Sequence, residues 1–267
     1  MNTVIVTENS LVDAPQVATL TFNRPDVFNA MNDELMVAFR DAVVALSVRT
    51  DIRALIIKGA GKAFLAGGDV ASFHARKDDP NLALEVKPMG DTLHAAIIAI
   101  REMPFPVIAE IQGACAGAGV SVALACDFAV AADVATFNMA YTKIGLSPDG
   151  GSTWLLPRLI GLKKATELIM LSETIDAASA LQLGLVNRVV ALDKLAIEVN
   201  SLATRLSQGA TLAYANAKRL LNQSYETPLR AHLNHEIALF ANCVATHDFK
   251  EGVSAFVEKR RAVFKGN

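Results

Sequence analysis

Cysteine is scarce in this chain of 267 residues: Cys115, Cys126 and Cys243 form no close pair and leave an odd one. That excludes a disulfide framework and leads us to expect reduced thiols in an intracellular protein. Basic blocks are missing too. With 25 Lys and Arg against 27 Asp and Glu, the main electrostatic reason to expect nucleic acid is gone. No apolar run is long enough to cross a bilayer, so no membrane is expected. The first residues lack the pattern of a leader and the last three read Lys265-Gly266-Asn267 rather than a peroxisomal signal, so the expected address is cytoplasmic. Metal ligands are sparse as well. His232 and His235 stand at helical spacing beside Glu236, but no third ligand is near them in sequence, and no metal is expected.

What is present is apolar: 52% of the residues are hydrophobic. A chain this long buries about three quarters of the surface its unfolded form exposes, enough to fold without a disulfide or metal. Its organising stretch is Phe105–Asp127, FPVIAEIQGACAGAGVSVALACD. The short apolar and β-branched run Phe105–Ala109 predicts a buried strand. Gly113, Gly117 and Gly119 follow, and then a run of small side chains, Ser121 among them, that suits a tightly packed helix. Small residues at such a junction let a ligand approach bare backbone, where a helix's first N–H groups have no partner of their own.

Before that stretch, the pattern predicts strands at Thr3–Thr7 and Val17–Phe22, the second with Ala18, Leu20 and Phe22 on one face. Asn32 reads as the N-cap of a helix bearing Leu35, Phe39, Ala42 and Leu46. Ala54–Lys58 predicts another buried strand, and Gly59–Asp69 is a second glycine-rich loop. Charges and breakers from Ala71 to Pro88 predict a mobile surface segment, and Leu93, Ala96, Ile97 and Ile100 a helix that Pro104 ends. Further on, strands are expected at Phe128–Ala132, Thr136–Ala140 and Leu185–Val190, and helices at Leu162–Leu171 and Asp176–Leu183. From Leu192 onward the pattern is helical throughout. The fold class expected is α/β, with a core over residues 1–195 and a packed-on helical region over residues 196–267.

Three chemistries compete for the glycine stretch. As a dinucleotide fingerprint it has Gly117 and Gly119, but Val122 stands where the third glycine belongs. As a nucleophile elbow, Gly119-Val120-Ser121-Val122-Ala123 approximates the pattern, but Ser121 falls within the helix rather than at a sharp bend. As an oxyanion site, the two glycine loops, each following a buried strand, can give one N–H apiece to a single carbonyl oxygen.

On the third reading the sequence resembles the crotonase superfamily, the enoyl-CoA hydratase/isomerase family. The likeness runs along essentially the whole chain: TFNRPDVFNAMNDEL from Thr21, GKAFLAGGD from Gly61, PVIAEIQGACAGAGVSVALACD from Pro106, the run Gly145–Gly161, ALQLGLVNRVV from Ala180 and SAFVEKRRAVFK from Ser254. The resemblance implies a spiral of strand–strand–helix turns with a C-terminal helical region that forms a homotrimer or a dimer of trimers. It implies an acyl-CoA thioester as substrate, with CoA part of that substrate and no separate cofactor. The oxyanion donors it implies are the N–H groups of Gly68 and Ala118, the latter a position where the family more often has glycine. Around the substrate it implies Ala66, Asp69 and Tyr141; near the CoA nucleotide it implies Arg24, with Phe256 and Lys259 reaching from a neighbouring subunit.

The acid/base pattern departs from the family's hydratases. These resemble one another in using two glutamates, at positions that hold Ser121 and Tyr141 here. A serine is a poor base near neutral pH. A carboxylate stands instead at Asp149, in SPDGGSTWLLPRLIG, a stretch that looks most like the phenylacetyl-CoA pathway ring-epoxide isomerase and its relatives. Enoyl-CoA isomerases also carry Asp or Glu there. One carboxylate suffices for an isomerase, which takes a proton from one carbon and returns it two carbons along. In isolation Pro148-Asp149-Gly150 is an ordinary turn. The expected function is therefore an acyl-CoA isomerase, with a single-carboxylate hydratase or a non-catalytic CoA-binding protein as alternatives. Phe137, Met139, Tyr141 and Leu146 are expected to wall the pocket. A dehalogenase, which needs an aryl site, fits poorly with aromatics at 6%. Glu110, in a buried strand, is expected either to line the site or to meet a cation.

Overall fold

The computed structural model describes residues 2–9 and 16–267. Its strands in chain order are β1 (Val4–Asn9), β2 (Gln16–Phe22), β3 (Ile52–Gly59), β4 (Ala63–Leu65), β5 (Val107–Ile111), β6 (Ala114–Ala116), β7 (Phe128–Ala132), β8 (Thr136–Asn138), β9 (Ile175–Asp176) and β10 (Arg188–Val190). Its α-helices are α1 (Asp33–Ser47), α2 (Val70–Ala75), α3 (Leu82–Glu102), α4 (Ala118–Ala125), α5 (Ser152–Ile160) and α6 (Leu162–Leu171). They continue with α7 (Ala177–Leu183), α8 (Leu195–Ser207), α9 (Thr211–Gln223), α10 (Leu229–Val244) and α11 (His247–Val257).

One sheet has the order β1-β2-β3-β5-β7-β10 and the other β4-β6-β8-β9. From β3 to β8 each turn of the chain lays one strand in each sheet and then enters a helix, and in the last turn α7 stands between β9 and β10. This is the strand–strand–helix spiral that the resemblance implied. Parallel pairing of β2, β3, β5, β7 and β10 requires both sheet faces to be covered, hence the near-continuous apolar run of β3. On one face Leu20, Phe22, Leu55, Ile57, Val107 and Ala109 share a core with Leu35, Phe39 and Val43 of α1. Phe22 meets Phe39 and Phe64 edge-on, with centroids 5.0 and 5.9 Å away. The opposite face, Val17, Ala54, Ile56, Ile108 and Val130, is closed by Leu195, Val199 and Leu202 of α8.

The helical tail is tied to the sheets by buried cations. Lys218 of α9 donates to Asp127 Oδ2 and to the Ile100 carbonyl, both at 2.8 Å. Burial pushes its ammonium pKa down, and the Asp127 charge opposes that shift. Arg53 of β3 donates to Thr211 and to carbonyls of Gly209 and Phe264. Among the described residues no helix is long and apolar enough to cross a membrane.

Two expectations are corrected here. Between Ala71 and Pro88, where a mobile segment was expected, the chain holds α2 and the first turns of α3, with Pro88 inside that helix. Pro88 removes one N–H from the ladder, but it lies in an exposed early turn where water can serve the freed carbonyl. The short strands β4, β6 and β9 were not expected. At two or three residues they hold no alternation to read.

Candidate active site

The first glycine loop, Ala66–Asp69, is laid on residues 28–31 as on a template. Ala66 N donates to Phe28 O at 3.1 Å, Met31 N to Gly67 O at 2.7 Å and Asp69 N to Met31 O at 2.9 Å. Arg24 braces the arrangement, both terminal nitrogens lying 3.2 Å from Asp69 Oδ2 while Nη1 also donates to the Ala30 carbonyl. Asp69 Oδ1 in turn caps α2 through Ser72 N at 3.3 Å. In a trans peptide the C=O and the following N–H point opposite ways. Since Gly67 O faces Met31, the Gly68 N–H faces away from it. No backbone acceptor among the described loop residues takes that N–H.

The second loop arrives from β6. Gly117 has φ +50° and ψ −121°, a conformation that side chains disfavour. Its carbonyl accepts from Val120 N at 3.0 Å and Ser121 N at 3.3 Å. By the same peptide geometry the Ala118 N–H points out of the start of α4, where no carbonyl of its own helix can reach it. Gly119 lets the loops converge: a Cβ there would lie 2.1 Å from Leu65 O. At the point of convergence a Cβ on Gly67 would stand 3.6 Å from Gly117 Cα, and one on Gly117 would stand 3.5 Å from Gly67 Cα. The two free N–H groups are each one peptide beyond this contact.

Asp149 completes the cluster. The Tyr141 hydroxyl donates to its Oδ1 at 2.6 Å. Its backbone carbonyl accepts from Ser121 Oγ at 3.0 Å and from Ser152 Oγ at 3.1 Å. Tyr141 lies against Gly117, where an added Cβ would be 3.8 Å from Cζ of the ring. Burial first, and then the neighbouring Asp149 charge, push the Tyr141 phenol pKa well above its ordinary value, so it stays a donor. The Asp149 side chain is exposed, and its Oδ2 has no hydrogen-bond partner among the described residues.

The structure thus gathers Gly68, Ala118, Tyr141 and Asp149, with Ala66 and Asp69 flanking the first donor. It does not bring Phe256 and Lys259 there within one chain: both are exposed at the end of α11. Arg24 is engaged by Asp69 and Ala30. Phe137 and Met139 are buried, Leu146 is 46% exposed, and Tyr141 of the expected pocket wall is hydrogen-bonded to Asp149. Ser121 is wholly buried with its hydroxyl on a carbonyl, an arrangement that makes an anchor rather than a nucleophile. Glu110 meets Lys58 at 3.6 Å, its partner in the β3–β5 register. His232 pairs with Glu236 at 3.5 Å, and no metal-binding cluster occurs among the described residues. Sequence reading missed the bonds that Ser121 and Tyr141 make to Asp149. Nothing in their spacing signals a contact across an irregular loop.

What the arrangement can do is stabilise an oxyanion beside a carboxylate able to hold a proton. Comparison with known proteins gives the family. The Enoyl-CoA hydratase/isomerase family profile matches residues 13–267. A trans-2-decenoyl-[acyl-carrier-protein] isomerase of Streptococcus mutans is 34% identical over 94% of this chain and 95% of its own length. A crotonyl-CoA hydratase of Syntrophomonas wolfei is 36% identical over 96% of this chain and 98% of its own. Among solved structures, an enoyl-CoA hydratase from Polaromonas sp. JS666 superposes with TM-score 0.89 at 36% identity, covering 97% of this chain and 99% of that one.

Proposed function

The chain belongs to the enoyl-CoA hydratase/isomerase family of the crotonase superfamily, and on that premise we propose that it is an acyl-CoA isomerase. It moves the double bond of an enoyl-CoA, or isomerises a ring-epoxide acyl-CoA, through a thioester enolate. The observation that carries this reading is the single carboxylate, Asp149, held beside two outward-facing N–H groups by Ser121 and Tyr141.

The Gly68 and Ala118 N–H groups receive the thioester oxygen. Asp149 Oδ2 takes a proton from the α-carbon, and the C–H electron pair moves onto that oxygen. The same carboxyl then returns the proton to the γ-carbon, leaving the double bond conjugated with the thioester. Each preorganised donor is worth about 3 kcal/mol to the developing oxyanion. CoA enters as part of the substrate, with no other cofactor. Ala66, Asp69 and Tyr141 border the acyl group. Phe256 and Lys259 serve the CoA nucleotide of a neighbouring subunit in a homotrimer or dimer of trimers. The exposed Leu233, Ile237 and Phe240 of α10 support such an assembly, and sedimentation gives its mass.

A second reading, hydration of a 2-enoyl-CoA by Asp149 alone, draws support from the exposure of that carboxylate, which water can reach. Incubating purified wild type and Asp149→Asn with 3-hexenoyl-CoA and 2-hexenoyl-CoA separates the two. Conversion of the 3-enoyl substrate that disappears in the variant is the expected result. Conversion that survives removes the assignment of Asp149, and 3-hydroxyhexanoyl-CoA formed from the 2-enoyl substrate promotes the hydratase.

A further inference from the structure

Resting on the isomerase reading, in which the bound acyl chain covers Oδ2 of the otherwise exposed Asp149 carboxylate, we propose that Tyr141 is a positioning residue that selects which oxygen of Asp149 handles the substrate proton and keeps the carboxyl from turning that proton out to solvent before it is returned.

Asp149 is held at both ends. Two hydroxyls, from Ser121 and Ser152, fix its carbonyl, and a phenol fixes one oxygen of its carboxylate. Gly150 leaves no slack: a Cβ there would lie 2.8 Å from Ser121 Cβ. The Tyr141 ring is itself wedged at Gly117, the residue before the second oxyanion donor, and its oxygen lies 3.4 Å from Ser121 Oγ. Oδ1 is therefore occupied on the side of the helix and Oδ2 is left for substrate.

Proton transfer respects this division. The α C–H bond breaks, its electron pair enters the dienolate, and a new O–H bond forms at Oδ2. Oδ1 becomes the carbonyl oxygen of the acid and still accepts from the phenol, so the carboxyl cannot turn to exchange its oxygens. The Oδ2–H bond then breaks, the dienolate supplies the electron pair for a γ C–H bond, and Asp149 is again ionised. Because its hydroxyl is spent on Oδ1, Tyr141 delivers no proton to the substrate.

The test is isomerisation of 3-hexenoyl-CoA in deuterium oxide, with deuterium in the product counted by mass spectrometry. Wild type is expected to retain most of its protium. Tyr141→Phe keeps the ring and is expected to show severalfold more deuterium per turnover, a kcat roughly tenfold lower, the worth of one charge-assisted hydrogen bond, and an unchanged KM. Ser121→Ala, which frees the carbonyl but leaves the phenol, is expected to lower kcat without raising the deuterium content. The proposal is overturned if wild type already equilibrates with solvent. It is equally overturned if Tyr141→Phe loses rate or melting temperature while its deuterium content stays at the wild-type level. A wild type that converts no 3-hexenoyl-CoA removes the isomerase reading itself.

Discussion

The two halves of the proposed site are built from different materials. The donor half is backbone: Gly68 and Ala118 are aimed by peptide geometry, and their loops are pinned through Met31, Phe28 and Asn138 by main-chain bonds. The acid/base half is made of side chains on a partly exposed loop, Tyr141 and Asp149, anchored from α4 by Ser121. A backbone donor survives a change of side chain, so Ala118 can serve where the resemblance leads one to expect glycine. A side-chain acid does not. On the proposed reading the donor half marks the family, and the residues at positions 121, 141 and 149 decide which reaction its site performs.

Substitutions can break that contrast or sharpen it. The largest effect is expected from Asp149→Asn, which removes the proton carrier and lowers kcat for 3-enoyl-CoA by roughly 10²–10⁴-fold with little change in KM, as steady-state kinetics will read. Next is Gly119→Ala. Its Cβ meets Leu65 O, forces the loops apart, lowers kcat roughly 10²-fold and costs about 1–3 kcal/mol in a denaturation curve. Arg24→Lys loses the planar fork on Asp69 and loosens the first loop, for a fall in kcat of under about tenfold with CoA affinity intact. Weakened CoA binding with unchanged kcat would instead give Arg24 a nucleotide contact. Smallest is Ala118→Gly, expected to change kcat by less than about twofold and stability by at most about 1 kcal/mol. A larger kinetic loss there would mean that the donor half depends on side chains after all.

The donor half was also the more legible one. Buried parallel strands betray themselves by apolar runs, as Ala54–Lys58 does, and the glycines after them by what they lack. Helices with a strong stripe and a cap were legible as well. Asn32 accepts from Leu35 N at 3.0 Å at the start of α1, and α6 covers Leu162–Leu171 as its periodicity predicts. Of the second sheet only β8 was legible, because β4, β6 and β9 are too short to alternate, and the opening of α3 was masked by Pro88 and its charges. Tyr141 and Asp149 are separated by a 3-10 turn at Thr142–Ile144 and a loop whose path no local pattern encodes. Their contact depends on the ring resting at Gly117, far away in sequence.

The most direct measurement is a structure of Asp149→Asn holding 3-hexenoyl-CoA. The account predicts the thioester oxygen about 2.7–3.1 Å from both the Gly68 and Ala118 nitrogens, with the residue 149 side chain against the α- and γ-carbons. A thioester oxygen bound away from either nitrogen, or an acyl chain that never meets residue 149, would contradict it.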